Sequence, residues 1–455
     1  MKVMKFGGAS LRDKQTVLTT ARTIIEQKGD RAVVLSALFG ITDFLEKAID
    51  LARQNEANIK TSIDEFRHRH HIVASQCIEE INILKATLRH VDERIEKLER
   101  LLYGVAYTEE ITKKVNALIL SFGERLAVVI MAGILQSQGC QSEFMESDKI
   151  GVISDNSYDN ASAILPLVKD NLQKNVIPKI KDKIIPIITG FFGRNQEGKV
   201  TLFGRNSSDY SAAVIAHGLQ ATCLEIWKDV DGFMSADPKL VANAFLIEHL
   251  SYEEAAELSY FGAKILHPRT VEPLRPHLTP IIIRNLHNPQ NTGTEIGPEA
   301  RHLESIIKSV TYNKQISVLK VRGAGVGYKP GVISEIGSLL GNLGINIYSI
   351  ITSQTCINLL IDRKDSAASY QALLSLGEGV IDTIDHQDDQ VVVAVVGTGL
   401  DYTPGLAAKV FQAVANEGVN IEMISSGASL VATYFIVKDS YLSTAVNAVH
   451  RAFFD

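Results

Sequence analysis

Lys5-Phe6-Gly7-Gly8-Ala9-Ser10 follows a short apolar strand, Val3–Met4, at the beginning of the chain. Two adjacent glycines between a strand and a helix let backbone N–H groups approach an anion, because no Cβ stands in the way. Lys5 adds a positive charge at the same place. The stretch therefore predicts a polyphosphate site at the end of a first β-strand.

The composition is that of an ordinary globular protein. The chain has 455 residues, which predicts two or three domains. Its 46 Lys and Arg residues against 52 Asp and Glu residues give a net charge of −6, which offers no electrostatic footprint for nucleic acid. Four cysteines lie far apart without a CxxC pair, as in reduced thiols of the cytosol. We also find no signal-peptide pattern and no run approaching the roughly 18 apolar residues of a membrane span, so we expect a cytoplasmic protein without membrane partners.

Residues 1–300 alternate apolar runs with helical patterns, which predicts a layered α/β domain. Arg31–Ala37 and Ile184–Thr189 are predicted strands, and Ser121–Leu135 and Asp209–Leu219 are predicted helices. The charged segment 76–116 has apolar residues at helical spacing and predicts a helical insertion.

His68, His70 and His71 lie in a similar helical pattern. Three histidines within four residues suggest a metal site, but this spacing does not place them on one helix face. A solvated surface is therefore favoured over a metal site.

The last third of the chain contains an internal repeat. Pro330-Gly331-Val332 and Pro404-Gly405-Leu406 each follow a strand and a glycine-rich turn and begin a helix, which ends at Gly344 and Gly418 respectively, at the same spacing. We predict two homologous modules, residues 301–388 and 389–455. Residues 323–327 also suggest a dinucleotide fold, but their GxGxG spacing is not GxGxxG, and a repeated small-ligand module accounts for both copies better.

Four further segments have either a chemical or a purely structural role. In Gly204–Asp209, Ser208 or Asp209 caps the next helix, or Arg205 and the helix N-terminus bind an anion. Ser121 and Glu124 form the pattern of a capping box, which is the favoured interpretation of that segment alone. The acidic turn after strand 225–228 either binds ribose hydroxyls or ends the strand, and Lys264 alone reads as a surface lysine.

The ordered set of these segments resembles the aspartate kinases, members of the amino-acid kinase family. The matching stretches are KFGGAS (5–10), VVLSALFGITD (33–43), SFGERLA (121–127), FGRNSSDYSAA (203–213), EIWKDVDG (225–232) and SYEEAAELSYFGAKILHPRT (251–270). Two of them, 203–213 and 251–270, look especially like the kinase half of bifunctional aspartokinase–homoserine dehydrogenases. The resemblance implies an αβα sandwich of three layers, followed by two ferredoxin-like ACT modules.

The resemblance also implies a reaction, in which the β-carboxylate of L-aspartate attacks the γ-phosphate of ATP to give aspartyl phosphate and ADP. A carboxylate is already ionised at neutral pH, so positive charge and alignment must do the catalysis. Mg²⁺ would be coordinated by the phosphate oxygens of ATP. The pathway implied is biosynthesis of lysine, threonine and methionine.

Site residues follow from the matching motifs. The implied catalytic residues are Lys5, Asp209 and Lys264, of which the lysines neutralise phosphate and Asp209 holds them in place. Aspartate would be bound by Thr42, Glu124, Arg205 and Ser208, with Arg205 on the α-carboxylate and Glu124 near the ammonium group. The implied ATP-binding residues are Lys5, Gly7, Gly8, Ser10, Lys228, Asp229, Met234, Lys239, Lys264 and Ile265. The family commonly has Gly-Gly or Asn-Gly at Asn206-Ser207, Thr at Lys228, Tyr at Met234 and Arg at Lys239.

Paired ACT modules imply feedback inhibition by a product amino acid, lysine or threonine, and a homodimer or higher homo-oligomer. The candidate effector residues are Val326, Lys329, Gly331, Val332, Tyr348, Ser353 and Gln354. Two other functions stay open, a non-catalytic amino-acid sensor and a kinase of another carboxylate or carbamate. The possibility that this chain is the kinase half of a longer bifunctional protein also stays open.

Overall fold

The computed structural model describes residues 1–263, 265–299, 306–324, 326–376 and 381–455. The chain forms two compact units, each described here by itself. The first comprises Met1–Phe233, Glu248–Tyr252 and Ile265–Ala300, and the second comprises Met234–Ile247, Glu253–Lys264 and Arg301–Asp455. Two segments within the predicted domain 1–300 thus group with the C-terminal unit.

The first unit contains ten strands and ten α-helices within the described residues. Its strands are β1 (Lys2–Phe6), β2 (Arg31–Leu35), β3 (Ser142–Met145), β4 (Ile185–Thr189), β5 (Phe192–Arg194), β6 (Val200–Leu202), β7 (Cys223–Lys228), β8 (His249–Ser251), β9 (Ile281–Asn285) and β10 (Thr294–Gly297). Its helices are α1 (Lys14–Glu26), α2 (Ile41–Gln54), α3 (Ala57–Cys77), α4 (Ile81–Thr108), α5 (Lys113–Leu120), α6 (Phe122–Ser137), α7 (Ser147–Ile150), α8 (Leu165–Asn175), α9 (Ile177–Lys181) and α10 (Ser208–Leu219). Two 3₁₀-helices cover Gly8–Leu11 and Pro268–His277.

Eight strands form one sheet in the order β3-β4-β2-β1-β7-β9-β10-β8, in which only the β9–β10 pair is antiparallel. Strand β1 lies between β2 and β7. Its Met4 and Phe6 join the hydrophobic core formed with α1, α2 and α6. Because side chains alternate along a strand, Val3 and Lys5 point to the other face, towards α10. The predicted layered α/β architecture is confirmed.

Helices α5 and α6 form the most apolar stretch of this unit. Residues Lys113–Ser137 are long and apolar enough to cross a membrane, and 94% of their most apolar window is buried inside the protein. The expectation that no run approaches a membrane span is therefore wrong by length and composition. Burial identifies the stretch as core helix.

The predicted helical insertion is present as α4, packed against α2, α3 and α6. The expectation of a solvated histidine surface is wrong for His70, which is buried and whose Nδ1 lies 2.7 Å from the Phe66 carbonyl. His71 Nε2 lies 2.9 Å from Asp92 Oδ1, and the side chain of His68 is exposed. Within the described residues no group of three or more His, Cys, Asp or Glu could hold a metal ion.

The second unit contains the repeat. Its strands are β11 (Ser309–Asn313), β12 (Ile316–Arg322), β13 (Ile347–Thr352), β14 (Cys356–Asp362), β15 (Thr383–Gln387), β16 (Gln390–Val396), β17 (Met423–Ser425) and β18 (Ala432–Lys438). Its helices are α11 (Tyr252–Tyr260, of which Tyr252 belongs to the first unit), α12 (Val332–Asn342), α13 (Ser366–Leu374), α14 (Leu406–Asn416) and α15 (Leu442–Phe454).

Two antiparallel four-stranded sheets have equivalent strand orders, β13-β14-β12-β15 and β17-β18-β16-β11. The repeated glycines adopt matching left-handed conformations, with φ of 95° at Gly331 and 87° at Gly405, and 71° at Gly344 and 70° at Gly418. This is the predicted ferredoxin-like pair. Antiparallel pairing on both sides of β12 is incompatible with the parallel unit of a dinucleotide fold.

The structure adds one feature that the repeat does not predict. The edge strand beside β16 is β11. In sequence, β11 comes before the strands β12–β15 of the first sheet, although it lies inside the span 301–388 predicted for the first module. The second sheet therefore takes strands from both sides of the first module. Dividing the repeat into two modules at residue 388 does not describe this pairing. A repeat in sequence does not specify which strand forms the edge of each sheet.

Candidate functional site

A buried charge cluster lies where β1 and β7 end. Parallel strands present their carboxyl ends at one edge of a sheet, where α/β proteins bind ligands. Lys5 Nζ lies 2.5 Å from Asp209 Oδ1, and Lys228 Nζ lies 3.2 Å from Asp209 Oδ2. Asp209 stands in the first turn of α10, so the cluster also adjoins a helix N-terminus. The three groups together carry one net positive charge.

Burial and mutual attraction compete within this cluster. Burial by itself would raise the pKa of the Asp209 carboxyl, but Lys228 and Lys5 outweigh it and hold that pKa well below its ordinary value. Burial is the largest influence on Lys5 and lowers the pKa of its ammonium group, although Asp209 opposes the shift. The carboxylate thus stays ionised, and it holds both lysines in place.

The Gly7-Gly8 turn lies beside the Lys5 ammonium group. Gly7 is extended, with φ of −87° and ψ of 176°, and it precedes the 3₁₀-helix Gly8–Leu11. A Cβ on Gly7 would lie 3.3 Å from Lys5 Nζ, and one on Gly8 would lie 3.5 Å from the Ala37 carbonyl oxygen. The buried Ser10 donates its backbone N–H to the Gly7 carbonyl at 3.0 Å. The turn therefore keeps its backbone close to the Lys5 ammonium group.

Glu124 does not form the capping box expected from Ser121 and Glu124. Ser121 is the N-cap of α6, but its hydroxyl donates to the Leu118 carbonyl, and no side-chain cap bond forms. Glu124 is buried, and its Oε1 accepts the Ala37 N–H at 3.0 Å. Its Oε2 has no hydrogen-bond partner within the described part of the chain. Burial raises the pKa of Glu124 to about 8, despite the opposing Ala37 bond and Arg125.

The glycine of the SFGE motif, Gly123, lies where the fold leaves no room for a side chain. A Cβ on Gly123 would lie 2.7 Å from the Ala37 Cβ and 3.2 Å from Ile41 Cγ2. Glycine therefore lets α6 approach the segment after β2, which places Glu124 against the Ala37 N–H.

Sequence reasoning missed a buried ion network beside Glu124. Arg125 pairs with Glu146 and, at 3.1 Å, with Asp148, while Arg94 pairs with Glu146 at 2.8 Å. Arg94 lies on α4 and Arg125 on α6, so Glu146 joins the helical insertion to the core of the unit. The available signal was Arg125 in the apolar stretch 117–135, where a buried arginine needs acidic partners.

Arg205, expected on the substrate α-carboxylate, is an exposed side chain in this structure. Its Nη2 lies 2.7 Å from Glu46 Oε2 and 3.2 Å from Asp43 Oδ1, both on α2. Thr42, also expected around the substrate, lies half-buried in the first turn of the same helix. The structure thus brings Arg205 and Thr42 to one region through carboxylates that the sequence motifs did not single out.

Ser207 stands where the family pattern has glycine, and Asn206 stands where that pattern has glycine or asparagine. Asn206 adopts the left-handed conformation, with φ of 61°, whereas Ser207 has φ of −85°. Asparagine tolerates that conformation better than most residues. Ser207 is buried, and its hydroxyl donates to the Gly204 carbonyl at 2.6 Å. Neither Ser208 nor Asp209 is the N-cap of α10, because Ser207 holds that position.

The remaining nucleotide-site predictions divide between the units. Asp229 is exposed after β7, and Ile265 is half-buried, both in the first unit. Met234 and Lys239 belong to the second unit, where Met234 bridges to Leu246 and Lys239 is exposed. Lys264 lies outside the described residues.

The candidate effector residues meet at one end of the first sheet of the second unit. A Cβ on Gly327 would lie only 1.9 Å from the Ser353 carbonyl oxygen, and the Gly327 N–H donates to the Gln354 carbonyl at 3.2 Å. The glycine-rich turn therefore packs directly on the β13–β14 turn. Of the predicted set, Val326 and Val332 are buried, Tyr348 is half-buried, and Lys329, Gly331, Ser353 and Gln354 are exposed.

Comparison with known proteins agrees with this architecture. The ACT domain profile matches residues 393–453. The bifunctional aspartokinase/homoserine dehydrogenase of Buchnera aphidicola is 31% identical over all of this chain, which spans 56% of that relative. Aspartokinase 1 of Arabidopsis thaliana, a chloroplastic protein, is 29% identical over all of the chain, which spans 80% of its length.

Two solved structures share the fold over the full length of both chains. They are aspartokinase III of E. coli in complex with aspartate and ADP, with a TM-score of 0.84 and 24% identity, and the aspartate kinase of Clostridium acetobutylicum, with a TM-score of 0.74 and 25% identity. The amino acid kinase family profile matches residues 1–285, and the chain therefore belongs to the amino acid kinase family.

Proposed function

We propose that this chain is an aspartate kinase, which transfers the γ-phosphate of ATP to the β-carboxylate of L-aspartate and yields 4-phospho-L-aspartate and ADP. The observation that carries the proposal is the buried Lys5–Asp209–Lys228 cluster beside the Gly7-Gly8 turn. Relatives named aspartokinase that align along the whole chain support the choice of aspartate.

The site supplies charge and alignment rather than a general base. The β-carboxylate of aspartate is ionised at neutral pH, and one of its oxygens attacks the γ-phosphorus while the bond to ADP breaks. Lys5 and Lys264 reduce the repulsion between the two anions and stabilise the charge that develops on ADP, and Asp209 orients Lys5. Gly7, Gly8 and Ser10 complete the phosphate cradle, the glycines through their backbone N–H groups and Ser10, whose N–H is bonded to the Gly7 carbonyl, through its hydroxyl.

Substrate recognition falls to Thr42, Glu124, Arg205 and Ser208. Arg205 fits the α-carboxylate by a forked pair of hydrogen bonds once its guanidinium leaves Asp43 and Glu46. Glu124, with an open oxygen in a buried setting, fits the ammonium group. The further ATP contacts proposed are Lys228, Asp229, Met234, Lys239 and Ile265.

Magnesium fits this site as an ion coordinated by the phosphate oxygens of the nucleotide. The Asp209 carboxylate is already engaged by two lysines, so phosphate oxygens are the ligands left for the ion. Bound there, Mg²⁺ would neutralise phosphate charge during transfer.

Regulation is proposed to follow from the second unit. We assign residues 1–300 to catalysis and 301–388 and 389–455 to two ACT modules, the second of which takes β11 from the span of the first. Lysine or threonine would bind at Val326, Lys329, Gly331, Val332, Tyr348, Ser353 and Gln354, and the modules would pair chains into a homodimer or larger oligomer in the cytoplasm. The chain spans about half of its bifunctional relative, so a dehydrogenase partner domain is a further proposal.

The test is the initial rate of ADP formation with and without aspartate, combined with hydroxylamine trapping of the acyl phosphate. We expect aspartate-dependent turnover that Lys5→Ala abolishes and that millimolar lysine or threonine inhibits. A folded, ATP-binding protein that shows no aspartate-dependent turnover would overturn the proposal and favour an amino-acid sensor.

A further inference from the structure

Lys228 is the residue of the cluster whose side-chain type departs from the family pattern, because threonine is common at this nucleotide-binding position. Lys5 stands opposite Ile226 in the parallel register of β1 and β7, and Lys228 follows Ile226 by two residues. Residues two apart on a strand point to the same face, so Lys228 and Lys5 share the face towards α10. Asp209 joins them, because each of its carboxylate oxygens faces one ammonium group.

The charge of the cluster exceeds what Asp209 can balance. One lysine would be enough to neutralise a single carboxylate, and Lys5 already does so from a nearly fully buried position. Lys228 adds a second cation, and its side chain keeps 20% of its surface exposed, against 6% for Lys5. A partly exposed lysine side chain beside a helix N-terminus and a glycine turn is placed to meet an anion.

We propose that Lys228 binds the phosphate chain of the nucleotide directly, beside Lys5 and in addition to Lys264. This inference rests on the proposed function and assigns to Lys228 a contact with phosphate rather than with the base or ribose. During transfer the Lys228 ammonium group keeps its protons, while an aspartate carboxylate oxygen forms the new bond to the γ-phosphorus and ADP leaves with the electrons of the broken P–O bond. Lys228 thereby stabilises negative charge on the phosphate oxygens.

The experiment separates phosphate contacts from base contacts by comparing nucleotides of different length. Dissociation constants of ATP with Mg²⁺, ADP with Mg²⁺ and AMP are measured by calorimetry in the absence of aspartate. The single tryptophan, Trp227, precedes Lys228 and gives a second, fluorescent readout. The variants are Lys228→Thr, Lys228→Gln as a second neutral replacement, and Lys228→Arg as a charge-preserving one. Lys179→Thr removes a surface lysine that pairs with Glu143 and is the matched control.

We expect both neutral variants to weaken ATP binding by about 10- to 100-fold, the value of a hydrogen bond to a charged group, and AMP binding by much less. Lys228→Arg should restore most of the ATP affinity, and Lys179→Thr should match the wild type. Unchanged ATP affinity, or equal losses for ATP and AMP, in a folded neutral variant would overturn the inference.

Failure of the inference and failure of the proposed function give different results. A wild-type protein without aspartate-dependent turnover removes the proposed function, yet the nucleotide titrations still test Lys228. Wild-type turnover together with unchanged ATP binding in Lys228→Thr removes the inference alone.

Discussion

The Lys5 ammonium nitrogen lies 2.5 Å from Asp209 Oδ1, although the two residues come from the first strand and from a helix some two hundred positions later. Both side chains are almost completely buried. A buried ion pair is expensive to form and is rarely kept for stability alone. Together with the partly exposed Lys228, the pair makes a preorganised, positively charged cluster, which is what phosphoryl transfer between two anions requires.

Asp209→Asn should lower stability at neutral pH and make the protein less sensitive to acid. The wild-type carboxyl has a lowered pKa in the folded state, so it contributes stability above its ordinary value of 3.8 and loses that contribution as the pH falls. At pH 7 the variant leaves two ammonium groups without their partner, at a cost of about 3–5 kcal/mol. Urea unfolding followed by Trp227 fluorescence at pH 7 and at pH 3, which lies below the ordinary value of 3.8, measures both effects. A difference between the two proteins that does not shrink at pH 3 would contradict this account.

Glu124 should make aspartate binding depend on pH. Burial raises the pKa of Glu124 to about 8, so the empty site holds a neutral acid at pH 6.5 and a carboxylate at pH 8.5. Only the carboxylate attracts an ammonium group, so KM for aspartate should fall as the pH rises across this range. Glu124→Gln should raise KM by about 10- to 100-fold and flatten the profile, since it loses a charge-assisted hydrogen bond. The same pH dependence in wild type and Glu124→Gln would exclude Glu124 as its source.

Glu46→Gln should lower KM for aspartate. Glu46 Oε2 lies 2.7 Å from Arg205 Nη2 and competes with a substrate carboxylate for that guanidinium group. Exposed ion pairs are worth about 0–1 kcal/mol, so the expected decrease is at most about fivefold. The control is the same substitution in an Arg205→Ala background, where it should have no effect. Steady-state kinetics decides, and an unchanged KM in the Arg205 protein would show that the pair does not compete.

Gly123→Ala should destabilise the first unit and raise KM for aspartate together. The added methyl carbon would lie 2.7 Å from the Ala37 Cβ, so α6 must move and carry Glu124 with it. Overpacking of this kind costs about 1–3 kcal/mol. The matched control is Gly337→Ala on α12, where a Cβ meets nothing within 4 Å and should leave KM unchanged. Wild-type KM in Gly123→Ala would show that Glu124 is not positioned by this contact.

Glu254 should anchor α11 to the second module. Its carboxylate lies 2.7 Å from Lys308 Nζ and accepts the N–H and hydroxyl of Thr398 at 2.9 and 2.8 Å, in a fully buried position. Glu254→Gln breaks the ion pair and should cost about 3–5 kcal/mol. Hydrogen exchange of α11 and β16 should accelerate, whereas Glu335→Gln, an exposed change on α12, should not alter it. Unaltered protection in Glu254→Gln would rule out the anchor.

Local patterns were sufficient for the elements that carry the site. Alternation and apolar runs located β2 and β4, helical spacing located α6 and α10, and the repeated Pro-Gly turns located the two modules. Local patterns failed for polar side chains whose surroundings are set by tertiary packing. Ser121 and Glu124 match a capping box, but Glu124 turns to Ala37. His70 looks like a surface residue, but packs against Phe66. Glu124 bonds to a residue 87 positions away, whereas the His70 ring bonds within its own helix and is buried by the packing of that helix, and local spacing predicts neither outcome.

The sequence by itself determined the α/β class, the family and the presence of a repeated module, because these depend on periodicity and on short motifs that act within a few residues. The tertiary structure alone decided that Lys228 joins Lys5 in pairing with Asp209, that Glu46 and Asp43 hold Arg205, and that β11 completes the second sheet of the repeat. Those relationships arise from strand order and helix packing, which bring distant residues within hydrogen-bonding distance, and no local spacing rule contains that information.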